Sequence, residues 1–360
     1  MIDQPEPLPP SSLLPPIYVA GPCSAESAEQ LLSIARALSS LPLSFFRAGL
    51  WKPRTRPGSF EGVGREGIPW LQSVKQQTGL RVMTEVSTPK QLELVLEAGI
   101  DAIWLGARTV SDPFAVQEIA DALSGCTIPV FIKNPISPDA QLWRGAIERV
   151  FMAGIQEVVA VFRGFSTIYA AGLHRNMPYW SVAFDLKRTL PSVPLLCDPS
   201  HITGKRKAVS AMAMDAMTMG FDGLMIETHC SPESAKSDAQ QQILPSEMAQ
   251  IIASVAQLKP SHSSPEEELQ NYRRILAEID HTILTALASR MQIAKKIGAY
   301  KMEHQIPILQ TTQFSSVIEE CTRIGTQLGL DPSFVERLFA DIHECSVHVQ
   351  SELRTAHHKK

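Results

Sequence analysis

Four side chains able to hold a divalent cation stand far apart in this sequence: Cys23, His201, Glu227 and Asp238. His201 closes the string Asp198-Pro199-Ser200-His201. Three of the four sit where an apolar run stops and a loop begins. A fold that gathers strand ends would collect a thiolate, an imidazole and two carboxylates around one ion. That mixed donor set suits a first-row divalent metal, and by itself does not choose among manganese, iron, cobalt and zinc. Other run ends are charged too, with Arg47, Lys52, Glu85, Arg108, Lys133, Arg163 and Asp198. Cations converging beside a metal would bind phosphate or carboxylate, since guanidinium grips either bidentately. Singly, each residue has a bland role available: a buried Cys, a capping Asp, a solvated Glu, an Arg in a structural ion pair. Their joint placement at successive run ends argues for chemistry.

The elements that must position them are short and β-rich. Apolar runs at 17–20, 44–47, 81–86, 102–105, 129–133, 157–162, 193–197 and 223–227 make eight. Most lack polar alternation, as parallel strands buried on both faces do. Helical patterns such as 27–38 and 90–98 separate them. Eight strand–helix units in about 240 residues predict a closed (β/α)8 barrel, with an open parallel sheet as the alternative. In a barrel the C-terminal strand ends share one face, where functional groups collect.

Composition sets outer limits. The 360 residues suffice for such a barrel and a smaller partner. A net charge of −4 argues against general nucleic-acid binding without excluding small anions. Six cysteines with no CxxC pair are too sparse for a disulfide framework. Residues 1–16 read as a Pro-rich arm with no signal-peptide pattern, and no run reaches membrane-span length. The cytoplasm is the expected location. Cys126 and Cys197 read as core fillers, and His229 as a possible neighbour of Glu227 on one strand face.

The character changes at 259–265, a Ser/Pro-rich linker. Beyond it everything is helical. Pro265 followed by three glutamates starts a helix that runs to Lys301 with no breaker except Gly298, and two more follow near 311–327 and 332–353. A first helix over about 50 Å long suggests one that interlocks with a partner. Arg290 and Lys301 share its apolar face, and burying them calls for an anion; snorkelling at the helix edge is the bland alternative. The expected layout is an arm at 1–16, a barrel at 17–258, a linker at 259–265 and a helical domain at 266–355.

Gly21-Pro22-Cys23-Ser24, Arg47 with Lys52-Pro53-Arg54-Thr55, Gly106-Ala107-Arg108, Asp198-Pro199-Ser200-His201 and Ser237-Asp238-Ala239-Gln240 together resemble 3-deoxy-D-arabino-heptulosonate 7-phosphate (DAHP) synthases of the type Iβ kind. The short N-terminus resembles members lacking a preceding regulatory domain. The resemblance covers roughly 17–245 and implies condensation of phosphoenolpyruvate with D-erythrose 4-phosphate, the opening step of the shikimate pathway. It implies one divalent metal per barrel on Cys23, His201, Glu227 and Asp238, manganese ranked ahead of iron, cobalt and zinc. Arg47, Lys52, Arg108, Lys133 and Arg163 would hold phosphoenolpyruvate; Arg54 and Thr55 would hold the sugar phosphate. Asn134-Pro135 after Lys133, and Phe162 before Arg163, depart from the common pattern.

Tyr272-Arg273, Asp280, Ala288-Ser289-Arg290, Lys301, Pro307, Ser346 and Gln350 resemble the all-helical AroQ-type chorismate mutases. That resemblance covers about 266–354 and implies rearrangement of chorismate to prephenate. It implies an interlocked homodimer in which Arg273 reaches the partner's site. Arg290 and Lys301 would meet a carboxylate and the ether oxygen, Gln350 that oxygen, and Ser346 a carboxylate. Where the family often has Asp, Arg and Glu on the middle helix, this chain has Gln310, Gln313 and Phe314. The substrate hydroxyl is left without an obvious contact. Two other readings stay open. The helical domain could be a module sensing prephenate or chorismate, with prephenate as feedback effector. The barrel could be a related phosphoenolpyruvate-condensing synthase for another sugar acid.

Overall fold

The computed structural model describes residues 11–53, 58–166, 174–258, 266–308 and 311–357, without side-chain detail at 266–269, 271, 272, 274, 275, 278, 311–313 and 353–357. The chain divides into two compact units, Met1–Lys259 and Pro260–Lys360.

In the first unit strands and helices alternate. The order is β1 (Ile17–Gly21), α1 (Ala28–Leu38), β2 (Phe45–Arg47), α2 (Ile68–Thr78), β3 (Val82–Val86), α3 (Pro89–Glu97) and β4 (Ala102–Leu105). Then come α4 (Ala107–Val110), α5 (Pro113–Ala122), β5 (Val130–Lys133), α6 (Ala140–Met152), β6 (Val158–Phe162) and α7 (Trp180–Thr189). The last are β7 (Leu195–Cys197), α8 (Pro199–Thr203), α9 (Arg206–Thr218), β8 (Gly223–Glu227) and α10 (Pro245–Ala256). The eight strands pair in sequence order and close into a barrel, which removes the open-sheet alternative. All eight were legible as apolar runs, to within two residues at each end.

Every strand residue is buried, because a closed parallel sheet has a core on each side. Ile17, Val19, Phe45, Met83, Trp104 and Phe131 help fill the barrel interior, and Phe45 meets Phe131 edge-on at 5.4 Å. Alternate strand residues face the helices, where Leu31, Ile34, Val95 and Ile147 pack. Ser27, Thr88, Asp112 and Asp139 accept hydrogen bonds from first-turn backbone N–H groups and so fix where α1, α3, α5 and α6 begin.

The β1–β8 register brings Gly21 opposite Glu227, so the loop carrying Cys23 leaves β1 beside the end of β8. Gly21 is needed there. Its φ is 145°, and a Cβ would lie 2.1 Å from the carbonyl oxygen of Arg47.

The second unit holds α11 (Glu266–Glu303), α12 (Thr311–Gln327) and α13 (Pro332–His357), with α13 packed against both others. The 38 residues of α11 span about 57 Å. Glycines aside, the buried described residues of this unit are Ala294, Val335, Ser346 and Gln350. Leu276, Ile279, Ile283 and Leu284 of α11 are each at least half exposed.

Candidate functional site

At the C-terminal mouth of the barrel, one ligand atom from each of Cys23, Glu227 and Asp238 lies within 4.8 Å of the others. Cys23 Sγ is 3.2 Å from Asp238 Oδ2. His201 adjoins the group, with Nε2 3.8 Å from Glu227 Oε1. Its Nδ1 lies 2.8 Å from Asp198 Oδ2, close enough to orient the ring. The sequence achieves this locally. Asp198 caps the short helix α8 by accepting from the His201 backbone N–H at 3.0 Å, which turns His201 back over its own cap.

The donor set fits a divalent cation. Burial and the Glu227 charge push the Cys23 thiol well above its usual range, so the protein alone disfavours the thiolate. A bound cation reverses that preference. Burial would raise Asp238, but nearby positive charge, Lys52 and Arg175 among it, holds its carboxyl well below the usual range. Burial also lowers His201, which favours a neutral ring able to ligate. Asp238 adopts φ 47°, one of two positive values among described non-glycine residues. Such strain persists where surroundings impose it.

The surroundings are three residues outside the motifs first singled out. Arg175 Nη1 donates to Asp238 Oδ1 at 3.0 Å and to Gln241 Oε1 at 2.6 Å. Gln241 Nε2 donates to Glu227 Oε2 at 2.6 Å, linking the two carboxylates through one clamp. Gln242 accepts from the Cys23 backbone N–H at 3.0 Å. Gln241 and Gln242 directly follow the Ser237–Gln240 motif, which stops one residue short. Arg175 follows a segment with no motif at all.

Next to the donor set lies a cleft of ≈ 380 Å³ lined by Arg47, Lys52, Arg108, Lys133, Arg163 and Arg175, with His201 and Asp238 at its side. Arg47 is 1% exposed and its Nη2 donates to Glu227 at 3.1 Å. Its Nε and Nη1 are buried with no hydrogen-bond partner among the described residues, an arrangement that suits an incoming anion. Lys52 Nζ donates to the Cys23 carbonyl at 3.3 Å. Lys133 Nζ pairs with Asp198 at 2.8 Å. Burial lowers Arg163 to about 10, with Asp198 opposing and Arg175 and Arg108 adding to it; the group stays protonated at neutral pH. Arg54 and Thr55 lie outside the described residues.

The Asn134 departure has a structural use. Asn134 is fully buried; its Nδ2 donates to the carbonyls of Pro135 and Gly164, and its Oδ1 accepts from the Arg163 backbone N–H at 2.7 Å. It therefore ties the end of β5 to the backbone that carries Arg163. Asn134→Ala is expected to raise the KM for the anionic substrate about tenfold by leaving buried groups unpaired; steady-state kinetics checks this. Phe162 is buried among Trp143, Phe165, Trp180 and Phe221. His229 bonds the Ser231 backbone N–H through Nδ1 at 2.9 Å and adds no ligand to the cluster. Cys197 is buried and Cys126 partly so.

In the helical unit, Arg290 Nη1 donates to Ser346 Oγ at 2.5 Å and to the Ile342 carbonyl at 3.4 Å. Lys301 Nζ donates to the Ile308 carbonyl at 2.8 Å. Gln350 packs over Gly298, where a Cβ would sit 2.8 Å from Gln350 Cγ. The structure therefore draws Arg290, Ser346, Gly298 and Gln350 together along α11 and α13. Arg273 is exposed on the first turns of α11. Gln310 and the Gln313 side chain lie outside the described residues.

A closed parallel barrel with a cation-lined mouth beside clustered thiol and carboxylate groups defines an enzyme-like barrel that receives small anions. The chain belongs to the DAHP synthetase I family, whose model matches residues 14–263; residues 272–351 match chorismate mutase type II. The phospho-2-dehydro-3-deoxyheptonate aldolase of Thermotoga maritima is 32% identical over 225 residues, covering 62% of this chain and 64% of that protein, just under two thirds of its length. The 2-dehydro-3-deoxyphosphooctonate aldolase of Pelobacter propionicus is 28% identical over 262 residues, covering 67% of this chain and 91% of that protein. A crystal structure of the Thermotoga maritima DAHP synthase superposes with a TM-score of 0.60 at 28% identity, covering 67% of this chain and 68% of that one.

Proposed function

We propose that the barrel condenses phosphoenolpyruvate with D-erythrose 4-phosphate to DAHP, and that the helical unit rearranges chorismate to prephenate. The observation that carries the first half is the cation-lined cleft set directly against Cys23, His201, Glu227 and Asp238. These four would hold one divalent ion, with manganese first and iron, cobalt or zinc as alternatives. The chemistry such an ion supplies is polarisation of the aldehyde oxygen. Arg47, Lys52, Arg108, Lys133 and Arg163 bind the phosphate and carboxylate of phosphoenolpyruvate. The unpartnered Arg47 donors take one of those anions. Fixing phosphoenolpyruvate in this cleft brings its C3 against the aldehyde carbon, which replaces a bimolecular encounter by an oriented one. C3 forms the new bond, the aldehyde oxygen takes a proton, water adds at C2, and inorganic phosphate leaves.

Arg54 and Thr55 are assigned to the sugar phosphate. The octulosonate aldolases among the relatives make a longer sugar acid the competing product. Turnover with erythrose 4-phosphate and none with a five-carbon aldose phosphate supports the heptulosonate reading; the reverse preference rejects it.

Arg175→Ala is expected to weaken metal binding about 10- to 100-fold, since it holds Asp238 and, through Gln241, Glu227. Metal titration by calorimetry reads this directly, and unchanged affinity would remove the clamp from the mechanism.

In the helical unit Arg290, Lys301, Gln350 and Ser346 bind chorismate, with Arg290 and Lys301 placing positive charge where the ether oxygen becomes negative. The exposed Leu276, Ile279, Ile283 and Leu284 on α11 suit a second copy of the chain, whose Arg273 completes the site. Light scattering is expected to give at least twice the chain mass of 39.6 kDa; a stable monomer with full mutase activity contradicts this. Prephenate is the proposed feedback effector of the barrel, read by synthase rates at saturating prephenate. Tight prephenate binding without chorismate turnover would instead make the helical unit a sensor. No described helix is long and apolar enough to cross a membrane, and the cytoplasm is the proposed location.

A further inference from the structure

Donors are plentiful along the α11–α13 seam. Arg290 offers five N–H groups and Lys301 three. Among the described residues of the helical unit, three buried polar atoms have no partner: His343 Nε2, Gln350 Oε1 and Thr322 Oγ1. His343, Ser346 and Gln350 stand at i, i+3 and i+7 on α13, so they share one face. Ser346 on that face touches Arg290, and Gln350 packs over Gly298. The imidazole of His343 is therefore the next group along the same stripe. It packs on Phe314 of α12 with ring centroids 4.5 Å apart, which fixes its plane. Phe314 stands where a carboxylate is common in the related mutases, so α12 supplies an apolar wall in place of an acceptor.

We propose that His343 is a substrate-contacting residue of the helical site, where its buried Nε2 binds the ring hydroxyl of chorismate. The inference rests on the mutase reading of this unit. Chorismate presents two carboxylates, an ether oxygen and one hydroxyl. The carboxylates and the ether need cations and donors, which Arg290, Lys301 and Gln350 provide. The hydroxyl both donates and accepts, and a neutral imidazole nitrogen matches it in either tautomer. Burial first, and then the charges of Arg290 and Lys301, lower the His343 pKa, so the ring is neutral at pH 7. A further cation would add little beside Arg290 and Lys301; a neutral acceptor or donor supplies what they lack.

The test compares wild type, His343→Leu and His343→Gln in the full chain, on chorismate and on an analogue lacking the ring hydroxyl. Synthase activity of each variant reports an intact barrel, and helical circular dichroism reports the α11–α13 fold. In His343→Leu the kcat/KM for chorismate is expected to fall roughly 10- to 100-fold, with no matching fall for the deoxy analogue. His343→Gln, which keeps a hydrogen-bonding group, is expected to restore most of the discrimination. Equal losses on both substrates would mean that His343 only supports packing, and no loss on either would also overturn the proposal. Should His343→Leu lose helicity, the discrimination of His343→Gln against the wild type decides. A wild type that neither turns over nor binds chorismate by calorimetry sinks the mutase reading, and this assignment with it. A fully active wild type with an unaffected His343→Leu sinks this assignment alone.

Discussion

Cys23→Ala and His201→Ala are each expected to lower DAHP formation about a thousandfold, or about 4 kcal/mol of barrier. The size follows from where the charge goes. In the proposed condensation the aldehyde oxygen becomes negative as the C–C bond forms, and Cys23 and His201 are assigned to hold the cation that balances it. Cys23 is completely buried, and burial with Glu227 keeps its thiol protonated unless a cation is present. Removing it leaves Glu227 and Asp238 with a weakened donor set and an unchanged cleft. The loss should therefore fall on kcat, while the KM for phosphoenolpyruvate, which the proposal assigns to Arg47, Lys133 and Arg163, moves little. Metal content by elemental analysis should fall in parallel. Variants that keep full metal and full turnover would show that neither residue ligates.

Arg290→Ala and Lys301→Ala are expected to abolish mutase turnover to a similar extent, about 10²- to 10³-fold, because the rearrangement needs positive charge aimed at a developing oxyanion. Arg290 is held by Ser346 Oγ and the Ile342 carbonyl, and Lys301 by the Ile308 carbonyl, so both are oriented before substrate arrives. Preorganised charge of this kind costs no reorganisation during the reaction. Synthase activity of the same variants controls for an intact barrel, and helical circular dichroism for the helical unit. Chorismate turnover that survives either change, with prephenate binding intact, would assign the pair to effector recognition.

Much of this architecture was readable from the chain. Uninterrupted apolar runs such as Val158–Phe162 have no polar face, which only a strand covered on both sides tolerates. The unbroken pattern of α11 and its acidic start set its range closely. The proposed metal donors and the cleft cations stood out because they are chemically conspicuous and sit at or just beyond strand ends. The groups that hold them were not. Arg175 reaches Asp238 across 63 positions in sequence, and Gln241 reaches Glu227 by a side chain that no periodicity marks. Asn134 looked like a departure from a pattern, and only the fold gives it its use, since its partners sit at the end of another strand. His343 is similar: on α13 it is one histidine among many polar residues until Phe314 packs on its ring and the charges of Arg290 and Lys301 act on it. Long-range hydrogen bonds depend on tertiary approach, which local sequence does not encode.

The most direct measurement is DAHP formation from phosphoenolpyruvate and erythrose 4-phosphate by the purified chain, before chelation, after exhaustive chelation, and after return of manganese, iron, cobalt or zinc one at a time. The expected result is loss of turnover on chelation and recovery with at least one of these ions, at one ion per barrel. Turnover that persists in fully chelated, metal-free protein would contradict the role given to Cys23, His201, Glu227 and Asp238.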